Sequence, residues 1–335
     1  MDTLRELLEE AKVKGYKSPL PNLLRTIVPM QYIDNDVPPG FGDSYWETRL
    51  YNILTELPAW ELPLRNLYMS GALKTLAKAL DRMVDETGET LIKAPLPDNI
   101  FRAYRELSIT DVNVVFLGQD PYPTSDKSRQ TLETINTMGH ADVTSILGEG
   151  YDTWKLTQSK PWPEKMLANG PRPIVRIGAV PYAIGKSFAF PKICKEPPIS
   201  FQNLRKCAIA SVGKVTHMDS ELVGWSQQGI LMLNACPCLY GEGSGSNRNP
   251  NIWTTWTTEM LAAIAKIRPY CVFILLGNSA KSYKASIIES HSGACVIETG
   301  HPSSRNSSVS DFLNSDIFRR INEFRTSLNL KPIVW

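Results

Sequence analysis

Histidine is scarce in this sequence and cysteine is scattered. The four histidines (His140, His217, His291, His301) and six cysteines (Cys194, Cys207, Cys236, Cys238, Cys271, Cys295) form no Cys-x-x-Cys pair. Nor do they share a spacing that would gather histidines, cysteines and carboxylates around one ion, so no metal and no cofactor is expected. Four of the cysteines lie in or beside apolar, strand-like runs, where cysteine behaves as a small buried hydrophobe. They read as reduced thiols of an intracellular protein. No stretch of eighteen apolar residues occurs anywhere, which excludes a helical membrane span. Met1 to Lys17 mix glutamate and lysine with leucine, unlike the unbroken apolar core of a secretory signal. Internal repeats and low-complexity tracts are missing too. A membrane is therefore not among the expected partners.

What is present is an ordinary globular composition: 335 residues, 42% hydrophobic and 21% charged. The net charge of +2 is small but unevenly spread. Residues 1–60 carry six basic and nine acidic side chains, whereas 183–335 carry sixteen basic and ten acidic. The C-terminal part is thus the candidate for a polyanion-facing surface, although so mild an excess does not by itself specify DNA.

Four apolar runs read as buried strands: Val112 to Leu117, Gly229 to Leu233, Cys271 to Leu276 and Ala294 to Ile297. Helical patterns alternate with them. Ser70 reads as the cap of a helix carrying Leu73, Leu76, Leu80, Met83 and Val84. A second stripe runs Trp253, Trp256, Met260, Leu261, Ile264, Ile267, and a single last helix is expected with Phe312, Leu313, Ile317, Phe318, Ile321 and Phe324. Strands apolar on both faces and alternating with amphipathic helices predict an α/β fold: a three-layer α/β/α sandwich around a central four-stranded parallel sheet. Ligands of such sheets bind at the carboxyl ends of the strands. Two stretches fit this scheme badly. Residues 1–56, with a Pro/Gly/Asp-rich passage around Asp34 to Asp43, read as an N-terminal arm ahead of a domain spanning 57–335. Residues 124–182 read as a long insertion in that domain.

The strand ends carry the chemistry. The first runs into Gly118-Gln119-Asp120-Pro121-Tyr122-Pro123, where the two prolines stiffen the turn around a carboxylate. The second ends at Asn234, the third at Gly277-Asn278-Ser279, and the fourth at Gly300-His301-Pro302-Ser303-Ser304-Arg305. Each has a plain structural reading: a capping aspartate, a satisfied turn asparagine, a packed or solvated histidine. Four polar turns converging on one rim of one sheet describe a site.

At this level the residues resemble family-1 uracil-DNA glycosylase. The order is Gly-Gln-Asp-Pro-Tyr at 118–122, then Gly185-Lys186-Ser187-Phe188. Gly224-Trp225 and Gln228-Gly229 follow, leading into Leu233-Asn234, and then His301-Pro302-Ser303. Pro197-Pro198-Ile199-Ser200-Phe201-Gln202-Asn203-Leu204 resembles the family's proline-rich DNA-contacting loop, and Lys331-Pro332-Ile333-Val334-Trp335 its end. The resemblance implies DNA base-excision repair: hydrolysis of the N-glycosidic bond of a uracil flipped out of DNA, with no cofactor. It assigns Asp120 to the oxocarbenium-like sugar and the attacking water, and neutral His301 to uracil O2. Phe188 would stack on the base and Asn234 would pair with its O4/N3 edge, although Phe188 also reads as plain core. Tyr122 would fill the space of a thymine methyl, and Gln119 would line the pocket mainly through its backbone. Pro198, Ser200, Gly277, Asn278 and Ser303 match the loops that hold phosphates.

Three departures stand out. Pro123 follows Tyr122 where the family commonly has histidine, and Asn278 stands where it has serine. Arg305 replaces the apolar wedge, leaving stacking and phosphate contact to fill the vacated base position. The expected partners are uracil-containing DNA, single- or double-stranded, and a protein bound through the insertion or the arm. The expected setting is intracellular, in the nucleus or at a host cell's site of DNA replication. Two other readings stay open: a glycosylase-derived binding or processivity subunit, and a superfamily member with altered base preference.

Overall fold

Alternate residues of the same strands supply two separate cores. In the computed structural model the described residues are 44–83, 92–95, 99–122, 182–192, 194, 196–240, 250–303 and 308–335. Within them the strands are β1 (Ile92–Ala94), β2 (Val114–Gly118), β3 (Ile230–Asn234), β4 (Leu239–Tyr240), β5 (Val272–Leu276) and β6 (Cys295–Thr299). β1 and β4 form a small antiparallel ribbon, and the other four make one parallel sheet in the order β3-β2-β5-β6. Side chains alternate across a strand. Val115, Leu117, Leu231, Leu233, Phe273 and Leu275 therefore enter one core, and Val114, Phe116, Ile230, Met232, Val272 and Ile274 the other. The continuous apolar runs predict this double burial, and the four-stranded parallel sheet between two helical layers is the arrangement found.

The helices, in chain order, are α1 (Tyr45–Glu56), α2 (Glu61–Met69), α3 (Ala72–Asp81), α4 (Arg102–Glu106), α5 (Ile199–Val212), α6 (Val223–Ser226), α7 (Thr254–Ile267), α8 (Gly277–Lys281), α9 (Lys284–Ser290), α10 (Val309–Leu313) and α11 (Ile317–Ser327). α1, α2, α3, α7 and α9 fill the first core, and α5, α6, α10 and α11 the second. The stripe from Trp256 through Met260, Leu261 and Ile264 is buried along α7 as its spacing predicts.

Three expectations are corrected. α1 does not belong to an arm. Its N-cap Ser44 accepts a hydrogen bond from the Glu47 amide and also donates to Asp81, and Trp46, Leu50 and Ile53 are buried in the first core. The compact unit accordingly begins at Phe41 and not at residue 57. Ser70 is not the cap of α3. It closes α2, its Oγ donating to Leu67 O, and α3 starts from Gly71 in a left-handed conformation, φ 74°. The expected last helix is two, α10 and α11, because Asp316 sits at φ 53° and takes a hydrogen bond from Ser211 as well as an ion pair with Arg319. A left-handed residue cannot continue an α-helix. The 124–182 insertion lies outside the described residues but for its last, Tyr182, which is buried.

All six cysteines are free and five of them are buried. The C-terminal segment is tied down by side-chain amides acting as a substitute strand. Asn322 exchanges two hydrogen bonds with the backbone of Ile333 (2.8 and 2.9 Å), and Gln228 two with Val334 (2.7 Å each). This delivers Trp335, 3% exposed, edge-on to Phe318 (4.7 Å between ring centroids), Trp225 (5.3 Å) and Phe116 (6.3 Å) on β2. Removing an aromatic of this size from such a cluster leaves a cavity the neighbours cannot close. Trp335→Ala is expected to cost about 3–5 kcal/mol. Urea denaturation of the two proteins checks this, and an unchanged midpoint would show that the terminal ring carries no packing energy.

Candidate active site

Register brings the site together. Gly118 pairs with Asn234 across β2 and β3, and Leu276 pairs with Thr299 across β5 and β6. β2 and β5 are joined in register up to Leu117 and Leu275. Asp120, Asn234, Gly277 and His301 therefore all lie within two residues of one row at the carboxyl rim of the sheet. The β2–β3 ladder also continues past the strands: Ala235 N–H donates to Gly118 O (3.0 Å) and Cys236 N–H to Gln119 O (2.9 Å). The Gln119 side chain is exposed, so its fixed contribution is this backbone contact.

Asp120 is half-buried with few polar neighbours. Burial pushes its carboxyl up to about 6, against a single opposing hydrogen bond from its own backbone. Two residues on, Tyr122 donates from its hydroxyl to Phe188 O (3.0 Å) and meets Tyr182 edge-on at 6.3 Å. The catalytic-loop tyrosine is thereby tied to the Phe188 turn.

That turn is tightly determined. Gly185 has φ 82°, and a β-carbon there would lie 1.6 Å from Asn99 O, so only glycine fits. Lys186 Nζ is buried and paired with Glu106 (2.7 Å), which also pairs with Arg102 (2.6 Å), and Arg102 reaches Glu221 (2.8 Å). Ser187 N–H donates to Met232 O on β3 (3.1 Å). Phe188 itself has φ 63°, a conformation that costs a non-glycine residue about 1–3 kcal/mol and persists only where its surroundings impose it. Its ring belongs to the second core and also faces the rim, 5.9 Å from the His301 ring at 42°.

His301 is held as a neutral donor. Ser303 N–H donates to its Nδ1 (3.1 Å), which leaves the proton on Nε2. Burial lowers the imidazole to about 4, so it is uncharged at neutral pH. Gly277, φ 80°, lies against the same residue: a β-carbon there would stand 3.0 Å from His301 Cβ. Near pH 7 the rim thus holds one carboxylate and one neutral Nε2–H donor, with the Asn234 amide at the end of β3.

The DNA-facing candidates surround this rim. Pro198 occupies the N-cap position of the 14-residue α5, and Ser200 lies in its first turn, where backbone N–H groups point outward unpaired by the helix. Asn203 on α5 is buried and donates to Pro302 O (2.8 Å), joining that helix to the His301 turn. Asn278 is exposed beside Gly277, and Ser303 is half-buried beside His301. Pro123 and Arg305 lie outside the described residues.

Three residues here escape sequence reasoning as functional: Gly118, Ser187 and Asn203. All lie within the motifs, but their roles come from tertiary contacts. A β-carbon at Gly118 would stand 2.9 Å from Asn234 Oδ1, 2.9 Å from Ser187 Oγ and 3.3 Å from Phe188 Cζ. The missing side chain keeps a space open among these groups. Gly118→Ala is expected to leave stability within about 1 kcal/mol, since two of the displaced atoms are mobile side-chain ends. Ligand binding at the Asn234 amide should fall at least about tenfold, because a misplaced hydrogen-bonding pair loses on the order of 1.4 kcal/mol. Equal binding by the variant would show that the space is not the pocket.

Comparison with known proteins agrees with this geometry. The sequence model of the uracil DNA glycosylase superfamily matches residues 105–324. A uracil-DNA glycosylase of Chromobacterium violaceum is 27% identical over 278 residues, covering 83% of this chain and 90% of its own length. One from Dichelobacter nodosus is 34% identical over 167 residues, covering 48% of this chain and 70% of its own. Among solved structures, mimivirus uracil-DNA glycosylase superposes with a TM-score of 0.57 at 21% identity, covering 87% of this chain and 93% of its own. A mimivirus UNG variant in complex with UGI gives 0.60 at 22%, over 88% and 95%. The structural likeness establishes the shared fold, and the match over residues 105–324 establishes the family: this chain belongs to the uracil DNA glycosylase superfamily.

Proposed function

We propose that this chain excises uracil from DNA by hydrolysing its N-glycosidic bond, releasing free uracil and leaving an abasic site. The observation that carries this is a buried carboxylate and a neutral Nε2–H donor on one rim with the Asn234 amide. Those two groups match the two charges that develop when the C1′–N1 bond breaks: positive on the sugar, negative on the departing base. The nucleotide is first flipped out of the stack. As the bond breaks, Asp120 stabilises the cationic sugar and orients a water toward C1′, and His301 donates to uracil O2 and stabilises the anion. The water adds to C1′, completing hydrolysis without a cofactor.

Selection of the base is assigned to three side chains. Phe188 stacks on it. The Asn234 carboxamide donates to O4 and accepts from N3–H, a pattern that cytosine reverses. Tyr122 fills the space that a thymine methyl would need. Phosphates are assigned to Pro198 and Ser200 at the start of α5, to Gly277 and Asn278, and to Ser303. Arg305 takes the position of the wedge. A protein partner is assigned to the arm or to the 124–182 insertion, which follows the catalytic loop directly in the sequence.

Uracil release from a labelled oligonucleotide, single-stranded and duplex, tests the reading. Asp120→Asn is expected to lower kcat by about 10²–10³-fold, in the range of losing one group that stabilises transition-state charge. The anionic carboxylate is the active form, and its value is about 6. kcat/KM should therefore rise with pH through that value and level off above it, with an activity at pH 5 about tenfold below the plateau. The asparagine variant should lose this acid limb. If wild type and variant are equally inert while still binding DNA, the chain is a binding subunit.

Asn234→Asp replaces the amide donor by an acceptor and is expected to admit cytosine, whose amino group can donate to a carboxylate. Release of cytosine from the same oligonucleotide series measures this. An unchanged preference would remove Asn234 from base selection.

A further inference from the structure

Ser187 carries a hydroxyl with nothing to bond. Its residue is 1% exposed, and its Oγ has no hydrogen-bond partner. Buried hydroxyls of this kind are uncommon and unfavourable unless something satisfies them. The turn does not require the side chain, because its hold on β3 is made by the backbone: Ser187 N–H donates to Met232 O at 3.1 Å. Alanine would pack there without the cost.

The hydroxyl has a definite address. Ser187 Oγ and Asn234 Oδ1 both lie 2.9 Å from the position that a Gly118 side chain would take, with the Phe188 ring edge 3.3 Å away. An acceptor and a group that can both donate and accept thus border the same open space. The polar edge of uracil alternates carbonyl, N–H and carbonyl. With its N–H given to Asn234 Oδ1, an adjacent carbonyl needs a donor.

We infer that Ser187 is a base-contacting, specificity-determining residue whose hydroxyl donates to a carbonyl of the flipped pyrimidine, directly or through one water in the pocket. This rests on the uracil reading of the site. The unoccupied protein leaves the hydroxyl unsatisfied, and binding of the base satisfies it.

The consequence is a pair of effects with opposite signs in Ser187→Ala. Removing an unsatisfied hydroxyl should raise the melting temperature of the ligand-free protein by about 1–3 °C. Removing a donor to the base should weaken inhibition by free uracil by about 5- to 20-fold and lower kcat/KM on uracil-containing oligonucleotide in proportion. Ser187→Thr, which keeps the hydroxyl, should retain more uracil affinity than the alanine variant if the extra methyl is accommodated, and the alanine result stands without it. Unchanged uracil inhibition in Ser187→Ala, or a lowered melting temperature with unchanged affinity, overturns the inference: the hydroxyl is then satisfied within the protein. The glycosylase reading is judged separately, on the wild type. If wild type binds uracil but does not release it from DNA, that reading fails while the Ser187 comparison is still decided by uracil binding; if wild type binds no uracil, both fail.

Discussion

The parallel pairing of β2 with its neighbours is the constraint on which the rest depends. Four strands in register end at one level, and every chemical group of the site is attached within two residues of that level. Because side chains alternate across the sheet, a slip of one residue in any pair would exchange the two cores as well as misplace the site. The interdigitated interior that stabilises the fold therefore also fixes the distance between the Asp120 loop and the Asn234 amide. Folding and preorganisation are here the same interaction.

The rim gains its electrostatic character from the same burial. Asp120 and His301 are shifted in opposite directions by one cause, the loss of solvent, which disfavours the charged form of each. The result is an acid that ionises only near neutrality and an imidazole that stays neutral. The Lys186–Glu106–Arg102–Glu221 chain is a contrast: its charges are buried too but neutralise one another, and they brace the Phe188 turn without acting on the pocket.

The parts of the molecule legible in the sequence were those governed by one-dimensional patterns. Val114 to Leu117 and Val272 to Leu276 are apolar at every position because both faces are covered, and the α7 stripe keeps its helical period. The convergence of Asp120, Asn234 and His301 followed from strand ends alone. Left-handed residues were not legible: Gly71 starts α3 where Ser70 was the conventional choice, and Asp316 divides an otherwise continuous apolar helix. α1 was assigned to the arm because its buried stripe of Trp46, Leu50 and Ile53 is short and follows a proline- and glycine-rich passage. Gly118, Ser187 and Asn203 gain meaning only from what approaches them in space, which no periodicity records.

The Asn203–Pro302 hydrogen bond links two jobs that such an enzyme performs in succession. One end of the link is the helix whose first turn faces the nucleic acid backbone, and the other is the turn that aims the histidine. A strand pulling on that helix thus pulls on the leaving-group donor. Gripping the polymer and tensioning the catalytic turn become a single mechanical event, so that the histidine is drawn into line by the very contact that commits the protein to its substrate.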